Sequence, residues 1–379
     1  MAEKTRIVLC PACRESLPPQ FDGFAWAGVG SAPYLYFAQE GFSFAPTAPL
    51  RCEARDELAV RRLTDNCWLY VSPLDSPLVQ LKVASDYETL TAFLPVCPER
   101  AKQSEKLTIL LRTAIECRLT FQRTLSLHSA CVEQDGQAVC FTGDSGLGKS
   151  TRAKMWVDTL GAEFISGDRP AIRVEKSGAV ACGVPWDGKE QIFRNVERPL
   201  KAVFEVRRAP FTRIRRLTNA QAYRVLVRQV FIPMWDTEAA AAALANLRAF
   251  IRQTPVYRLF CGPDADAARE TYEILFNHPE RIMEDEREMK IREGFTLRNV
   301  VGESIVMPTG ENIKKFDGTV VLNEVSAYIF EQLKRPLSRE DLLALILSEF
   351  DVDKETAARD LDALLAKFSE FGMLDEENV

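Results

Sequence analysis

Eight residues, GDSGLGKS at 143–150, constrain this chain more than any other feature. They satisfy the pattern G-x-x-x-x-G-K-[ST] in full. Glycines there let the backbone wrap so that successive N–H groups face phosphate oxygens. A helix beginning at the loop aims its positive end at the same anion. Lys149 supplies a point charge for the β- and γ-phosphates, and Ser150 offers its hydroxyl to Mg²⁺. The expected nucleotide contacts are Gly143, Asp144, Ser145, Gly146, Leu147, Gly148, Lys149, Ser150 and Thr151, with ATP and Mg²⁺ as cofactors. Such a loop needs a strand before it and a helix after it. The apolar run 138–142 and the uninterrupted stretch 150–160 provide both. A glycine-rich turn with a surface lysine is the bland alternative.

Two nearby residues extend the site. Only one helix and one strand separate Lys149 from Asp168, so the chain returns directly to the phosphates. A carboxylate there can hold the metal or accept a proton from an attacking hydroxyl; the alternative is a turn aspartate in a Gly-Asp-Arg corner. His128 begins the strand that pairs with the one feeding the loop, within reach of a transferring phosphate. A histidine at a strand edge is also often structural. His278, before Pro279, reads as a helix-end residue.

The rest of the chain is organised around this loop. Residues 1–100 alternate apolar and polar over short runs such as 34–38 and 68–71, an all-β pattern. Residues 101–125 carry helical spacing through Leu107, Leu110, Leu111, Ala114 and Ile115. A hairpin at 130–142, strands at 163–166, 171–175 and 179–184, and an alanine-rich helix at 238–253 complete a segment 101–276. The charged stretch 277–294 reads as a linker. Residues 295–379 then give three short strands (296–301, 304–307, 320–322) and three helices. Asn323 and Ser338 are placed to cap the first two, and Gly372 to stop the third. The third helix's expected apolar face is Ala357, Leu361, Leu364, Phe368 and Phe371. The predicted class is α/β (α+β): a phosphate-loop domain with a β-rich N-terminal region, plus a small winged-helix-like domain.

Composition excludes several classes. No apolar stretch reaches the roughly 18 residues of a spanning helix, and the first residues lack a signal-peptide core. The expectation is a cytoplasmic protein without a membrane partner. Ten cysteines are scattered, which fits reduced thiols. The C-x-x-C of Cys10 and Cys13 has no second pair at matching spacing for zinc. Residues 295–379 hold 9 basic against 17 acidic side chains, whereas the remainder holds 39 against 37. A winged helix this acidic is a poor DNA binder, because phosphate neutralisation needs Lys and Arg. Arg207, Arg208, Arg213, Arg215 and Arg216 form a basic cluster that reads as a solvated strand face or as a receiver of phosphate or acidic peptide.

The motifs LHSACV, FTGDSGLGKST, FISGDRPAIR and GVPWDGKE, in that order from Leu127, resemble the HPr serine kinase family, whose fold is related to phosphoenolpyruvate carboxykinase. The resemblance implies a phosphate contact for His128, a proton-accepting role for Asp168, and catalytic roles for these two with Lys149. It implies Mg²⁺ contacts at Ser150 and Asp168. Family members have two adjacent acids at this strand end; here Gly167 stands in the first place. Trp186 and Gly188 match the family's P-W-x-G turn, which would shape the acceptor side, and a core tryptophan is the equal alternative.

VVLNEVSAYIFEQL, LSREDLLALILSEF and LLAKFSEFGML are similar to PqqD-like peptide-recognition elements. That similarity implies a leader peptide adding as a strand beside the third strand and packing on the third helix. It points to Val320, Val321, Leu322, Leu361, Leu364 and Phe368 as peptide contacts. A dimerisation or lid domain is the alternative, and self-association is left open.

Together these readings imply an ATP-dependent kinase for a Ser or Thr hydroxyl of a ribosomally made precursor peptide, recruited through its leader. A phosphotransferase for a small metabolite is the second reading. A non-catalytic, nucleotide-gated peptide chaperone, supported by Gly167, is the third.

Overall fold

A computed structural model of the chain describes residues 8–9, 34–38, 50–54, 58–72, 78–94, 99–186, 192, 194–262, 264–283, 288–300, 302–310 and 319–376. It divides into two compact units. The first holds Met1–Arg207, Arg216–Leu259 and Pro263–His278; the second holds Arg208–Arg215, Phe260–Gly262 and Pro279–Val379.

The first unit opens with strands β1 (Val8–Leu9), β2 (Tyr34–Ala38), β3 (Leu50–Ala54), β4 (Leu58–Arg62), β5 (Trp68–Ser72), β6 (Val79–Val83) and β7 (Thr89–Phe93). They form one sheet in the order β1-β2-β7-β6-β5-β4-β3. Alternation does the work: Val79, Leu81 and Val83 are buried while Gln80 and Lys82 between them are only half-buried. Helix α1 (Arg100–Phe121) buries Leu107, Leu110, Leu111, Ala114 and Ile115 in the same core as Tyr70 and Leu81.

Next come β8 (Thr124–Ser126), β9 (Ser129–Gln134), β10 (Gln137–Thr142), α2 (Lys149–Leu160), β11 (Glu163–Ser166), β12 (Ala171–Glu175), β13 (Gly178–Cys182) and β14 (Glu197–Arg208). Then follow β15 (Arg213–Arg216), α3 (Asn219–Leu226), α4 (Thr237–Ile251), β16 (Val256–Cys261) and α5 (Ala265–Tyr272). The strand order is β11-β9-β10-β14-β13-β12-β8, with β16 paired to β14 and β15 to β16. The turn between β9 and β10 uses Asp135 and Gly136, both at positive φ (51° and 72°), as a two-residue hairpin requires. Strands β10 and β14 run parallel. One face of this pair carries Phe141 and Phe204, which stack on each other, and Phe141 meets Trp156 of α2 edge-on. Side chains of this size contribute about 1.5–3 kcal/mol each when buried.

The second unit contains β17 (Glu288–Ile291), β18 (Phe295–Val300), β19 (Glu303–Pro308), β20 (Val320–Leu322), α6 (Glu324–Gln332), β21 (Leu337–Ser338), α7 (Arg339–Glu349), α8 (Lys354–Glu370) and β22 (Leu374–Glu376). Two three-stranded sheets form, β18-β19-β20 and β21-β17-β22. Asn323 caps α6, Ser338 caps α7, and Gly372 follows α8 at a φ of 63°. The fold class is therefore α/β with a small C-terminal domain.

Three sequence expectations need correction. The stretch 277–294 is not a linker throughout: Glu288–Ile291 pairs with β21 and β22, and Ile291 enters the core. Its charges hid a strand whose alternate residues, Met289 and Ile291, are apolar. The inner face of α8 is Ala357, Leu361, Leu365 and Phe368; Leu364 is half-buried and Phe371 exposed. The arginine cluster is a solvated face only in part: Arg208 and Arg216 are exposed, whereas the other three turn to acidic partners. Arg215 and Asp341 are fully buried together, Arg213 joins the same carboxylate at 3.2 Å, and Arg207 pairs with Glu205. Cys10, Cys13 and Gly188 lie outside the described residues.

Candidate functional site

Register places the loop. Thr142, the last residue of β10, faces Ser129 across the hairpin. His128 therefore lies level with Gly143, and the Thr142 hydroxyl donates to the His128 carbonyl at 2.8 Å. On the other side Thr142 is level with Glu205 of β14. The loop thus leaves at the carboxyl end of two parallel strands, where α/β sheets bind ligands. Gly143 has a φ of 133°, which only glycine adopts readily, and a β-carbon there would stand 3.5 Å from the Val206 carbonyl.

Gly148 precedes α2 in the left-handed conformation, and no side chain caps the helix. Its first turn carries no acid. The leading N–H groups and the positive helix end are therefore directed at an incoming anion rather than at a carboxylate of the helix itself. Lys149 folds back over the loop, donating from Nζ to the Gly143 carbonyl at 3.0 Å and the Asp144 carbonyl at 3.3 Å. Burial lowers the pKa of its ammonium, against the pull of Asp168 and Asp144.

Asp168 reaches the same place from β11, which is antiparallel to β9. Its carbonyl accepts from Ser129 N–H at 2.7 Å, and the Pro170 carbonyl accepts from Leu127 N–H at 3.2 Å. These two bonds clamp the Gly-Asp-Arg corner to the start of β9. The Asp168 carboxylate lies 3.5 Å from His128 Nε2 and 3.9 Å from Arg169 Nε. Burial and the Lys149 charge push the imidazole below its ordinary pKa, while Asp168 opposes them. A neutral His128 can then orient the carboxylate by hydrogen bonding. Trp186 is buried in the core, and its indole donates to the Arg169 carbonyl at 3.3 Å. The core reading of that tryptophan holds, and its indole also ties the corner carrying Asp168 to the core.

Three features escaped the sequence reading. Arg169 stands next to Asp168 in a motif already singled out, yet spacing alone gave it no role. Glu116 of α1 is buried, takes the Ser126 hydroxyl at 2.5 Å, and lies 4.0 Å from Arg112. Burial raises its pKa, with Arg112 and Arg169 opposing. Glu205 is buried against Arg258 (2.7 Å) and Arg207 (2.5 Å). Burial alone would raise the Glu205 pKa, but the two arginines outweigh it. Arg258 lies 53 residues from Glu205, and no local pattern marks that pair.

Among the described residues no group of three or more His, Cys, Asp or Glu side chains forms a metal cage. Mg²⁺ that shares phosphate oxygens needs only one or two protein ligands. Ser150, at the start of α2, and Asp168 fit that requirement.

In the second unit, β20 is an edge strand among the described residues, pairing with β19 through Ile305↔Val321. Val306 and Leu322 turn inward to Ile329, Phe330, Leu361 and Phe368. Val321 is 57 % exposed on the other face. Residues 303–374 match the family of coenzyme PQQ synthesis protein D (PqqD). This segment is a PqqD domain. Of the six residues expected to meet a peptide, Val321 is exposed and Val320 and Leu364 are half-buried. Leu322, Leu361 and Phe368 belong to the core of the PqqD domain.

Three solved structures are similar to parts of the chain. A lasso peptide synthetase B1 complexed with the leader peptide is 23% identical, covering 23% of this chain and 98% of that one, with a TM-score of 0.20. TbiB1 in complex with the TbiA(beta) leader peptide is 20% identical, covering 24% and 99%, with a TM-score of 0.21. The Hpr(Ser) kinase/phosphatase from Coxiella burnetii is 12% identical, covering 41% and 96%, with a TM-score of 0.24. No curated protein matches the chain. No helix among the described residues is long and apolar enough to cross a membrane.

Proposed function

We propose that the chain is an ATP-dependent kinase that phosphorylates a Ser or Thr hydroxyl on a precursor peptide held by its PqqD domain. The observation that carries this reading is the convergence of Lys149, His128 and Asp168 on one phosphate-binding loop. The backbone N–H groups of 143–150 and the start of α2 hold the phosphates. The acceptor oxygen forms a bond to the γ-phosphorus as the bridging P–O bond to the β-phosphate breaks. Asp168 takes the hydroxyl proton, and ADP leaves against Lys149. His128, neutral at pH 7, keeps the Asp168 carboxylate aimed. Mg²⁺ held by Ser150 and Asp168 would offset charge on the β- and γ-phosphates.

The PqqD match and the open edge of β20 support a peptide acceptor. A strand added there gains backbone hydrogen bonds, and Val320, Val321 and Leu364 offer the surface that chooses its side chains. Tethering raises the local concentration of the acceptor segment. The net acidity of residues 295–379 argues for a peptide rather than nucleic acid.

The test incubates the protein with ATP, Mg²⁺ and precursor peptides encoded beside it, read by intact mass. The expected result is a gain of one phosphoryl group that vanishes with Lys149→Ala. A gain that survives this variant would sink the mechanism. Peptide binding without any gain would favour the nucleotide-gated chaperone.

A further inference from the structure

The corner that carries Asp168 also carries Arg169, which the phosphoryl transfer described above does not use. The backbone of this corner is held from both sides. The buried Trp186 indole donates to the Arg169 carbonyl at 3.3 Å, while the Ser129 and Leu127 N–H groups bond the Asp168 and Pro170 carbonyls at 2.7 and 3.2 Å. The Arg169 side chain is left 27 % exposed. Among the described residues its ion-pair partner is Asp168, whose carboxylate lies 3.9 Å from Nε, beyond hydrogen-bonding distance. Other arginines of the same unit are tied down. Arg173 grips Glu197 with two nitrogens at 2.9 Å each, and Arg258 meets Glu205 at 2.7 Å. Arg169 has its fork of donors near a carboxylate but not bonded to it.

The Arg169 charge falls on the phosphate site. Burial lowers the His128 pKa, and the charges of Lys149 and Arg169 act in the same direction, against Asp168. Asp168 also pulls on Lys149. Two cations therefore share this one carboxylate beside the loop. Such an excess of positive charge suits a polyanion, and a guanidinium matches phosphate oxygens in a way that a point charge does not. Asp168 stands where the acceptor would meet the terminal phosphorus, and Arg169 is its neighbour, so the phosphate nearest Arg169 is the last one.

We propose that Arg169 is a ligand of the terminal phosphate, its guanidinium donating to γ-phosphate oxygens, and that it makes the site favour a nucleoside triphosphate over a diphosphate. This rests on reading 143–150 as a phosphate-binding loop, and not on transfer to a peptide. The loop N–H groups and Lys149 serve the β-phosphate of either nucleotide. Arg169 gains its partner only when the third phosphate is present.

The full chain is titrated by calorimetry with Mg²⁺ and either ADP or a non-hydrolysable β,γ-imido analogue of ATP, without peptide. Arg169→Met should weaken the triphosphate about tenfold, since a charge-assisted hydrogen bond is lost, and leave ADP within about twofold. Arg169→Lys keeps the charge without the fork and should fall between wild type and Arg169→Met. Where Arg169→Met fails to fold, Arg169→Lys carries the same comparison. Equal weakening of both nucleotides overturns the proposal, since it marks Arg169 as a prop for the corner. So does unchanged triphosphate affinity in variants with a native circular dichroism spectrum. Peptide transfer is not read, so failure of the kinase reading does not alter this comparison. A wild type that binds neither nucleotide overturns the proposal and the loop reading together.

Discussion

His128 Nε2 and the Asp168 carboxylate lie 3.5 Å apart, close enough for the imidazole to decide where the carboxylate points. Asp168→Asn keeps the shape and removes the base. Phosphoryl transfer should fall by about 10²–10⁴ while nucleotide affinity is kept, measured by single-turnover rates and ATP titration. His128 also gives stability a pH signature. Its folded pKa lies below its unfolded value, through burial and Lys149. Below about pH 6.5 the unfolded chain therefore binds the proton more readily, and stability is lost as pH falls through the folded pKa. His128→Asn should flatten that loss in denaturant titrations at several pH values. Gly183, in the GVPW motif, tests the corner from behind. A β-carbon there would stand 1.7 Å from the Arg194 carbonyl, so Gly183→Ala should cost about 2–3 kcal/mol in chemical denaturation.

At the scale of elements, the loop and its helix were legible because their chemistry is local. Glycines at 143, 146 and 148 all take positive φ, and α2 begins where the pattern requires. The placement of Asp168 and His128 beside the loop was legible because one helix and one strand return the chain to its start. Strand β17 was not, since its apolar residues are few and its partners lie far ahead in sequence. On α8 the apolar spacing points to Leu364, but Leu365 continues the buried stripe from Leu361 to Phe368. One helical position separates them, about 100° of rotation. Arg215 looked exposed because its partner, Asp341, is an N-terminal residue of a distant helix. For β20, Val321→Glu places a charge on an exposed edge position. Peptide affinity should fall about tenfold by calorimetry, with little change in thermal midpoint.

At the scale of the molecule, two units divide the chain: the proposed phosphate site lies in the first and a PqqD domain in the second. Cutting the chain after His278 is a poor way to separate their roles. Residues 208–215 belong to the second unit, and Arg213 and Arg215 would lose Asp341. Removing one partner of a buried pair is strongly destabilising, by about 3–5 kcal/mol. Point variants keep both units folded and so isolate recruitment from transfer. The most direct measurement compares kcat/KM for a precursor peptide with and without its leader, in the wild type and in Val321→Glu. A peptide kinase recruited through its PqqD domain should prefer the leader-bearing peptide, and Val321→Glu should erase most of that preference while transfer to the leaderless peptide stays the same. Equal kcat/KM for the two peptides in the wild type would contradict the account.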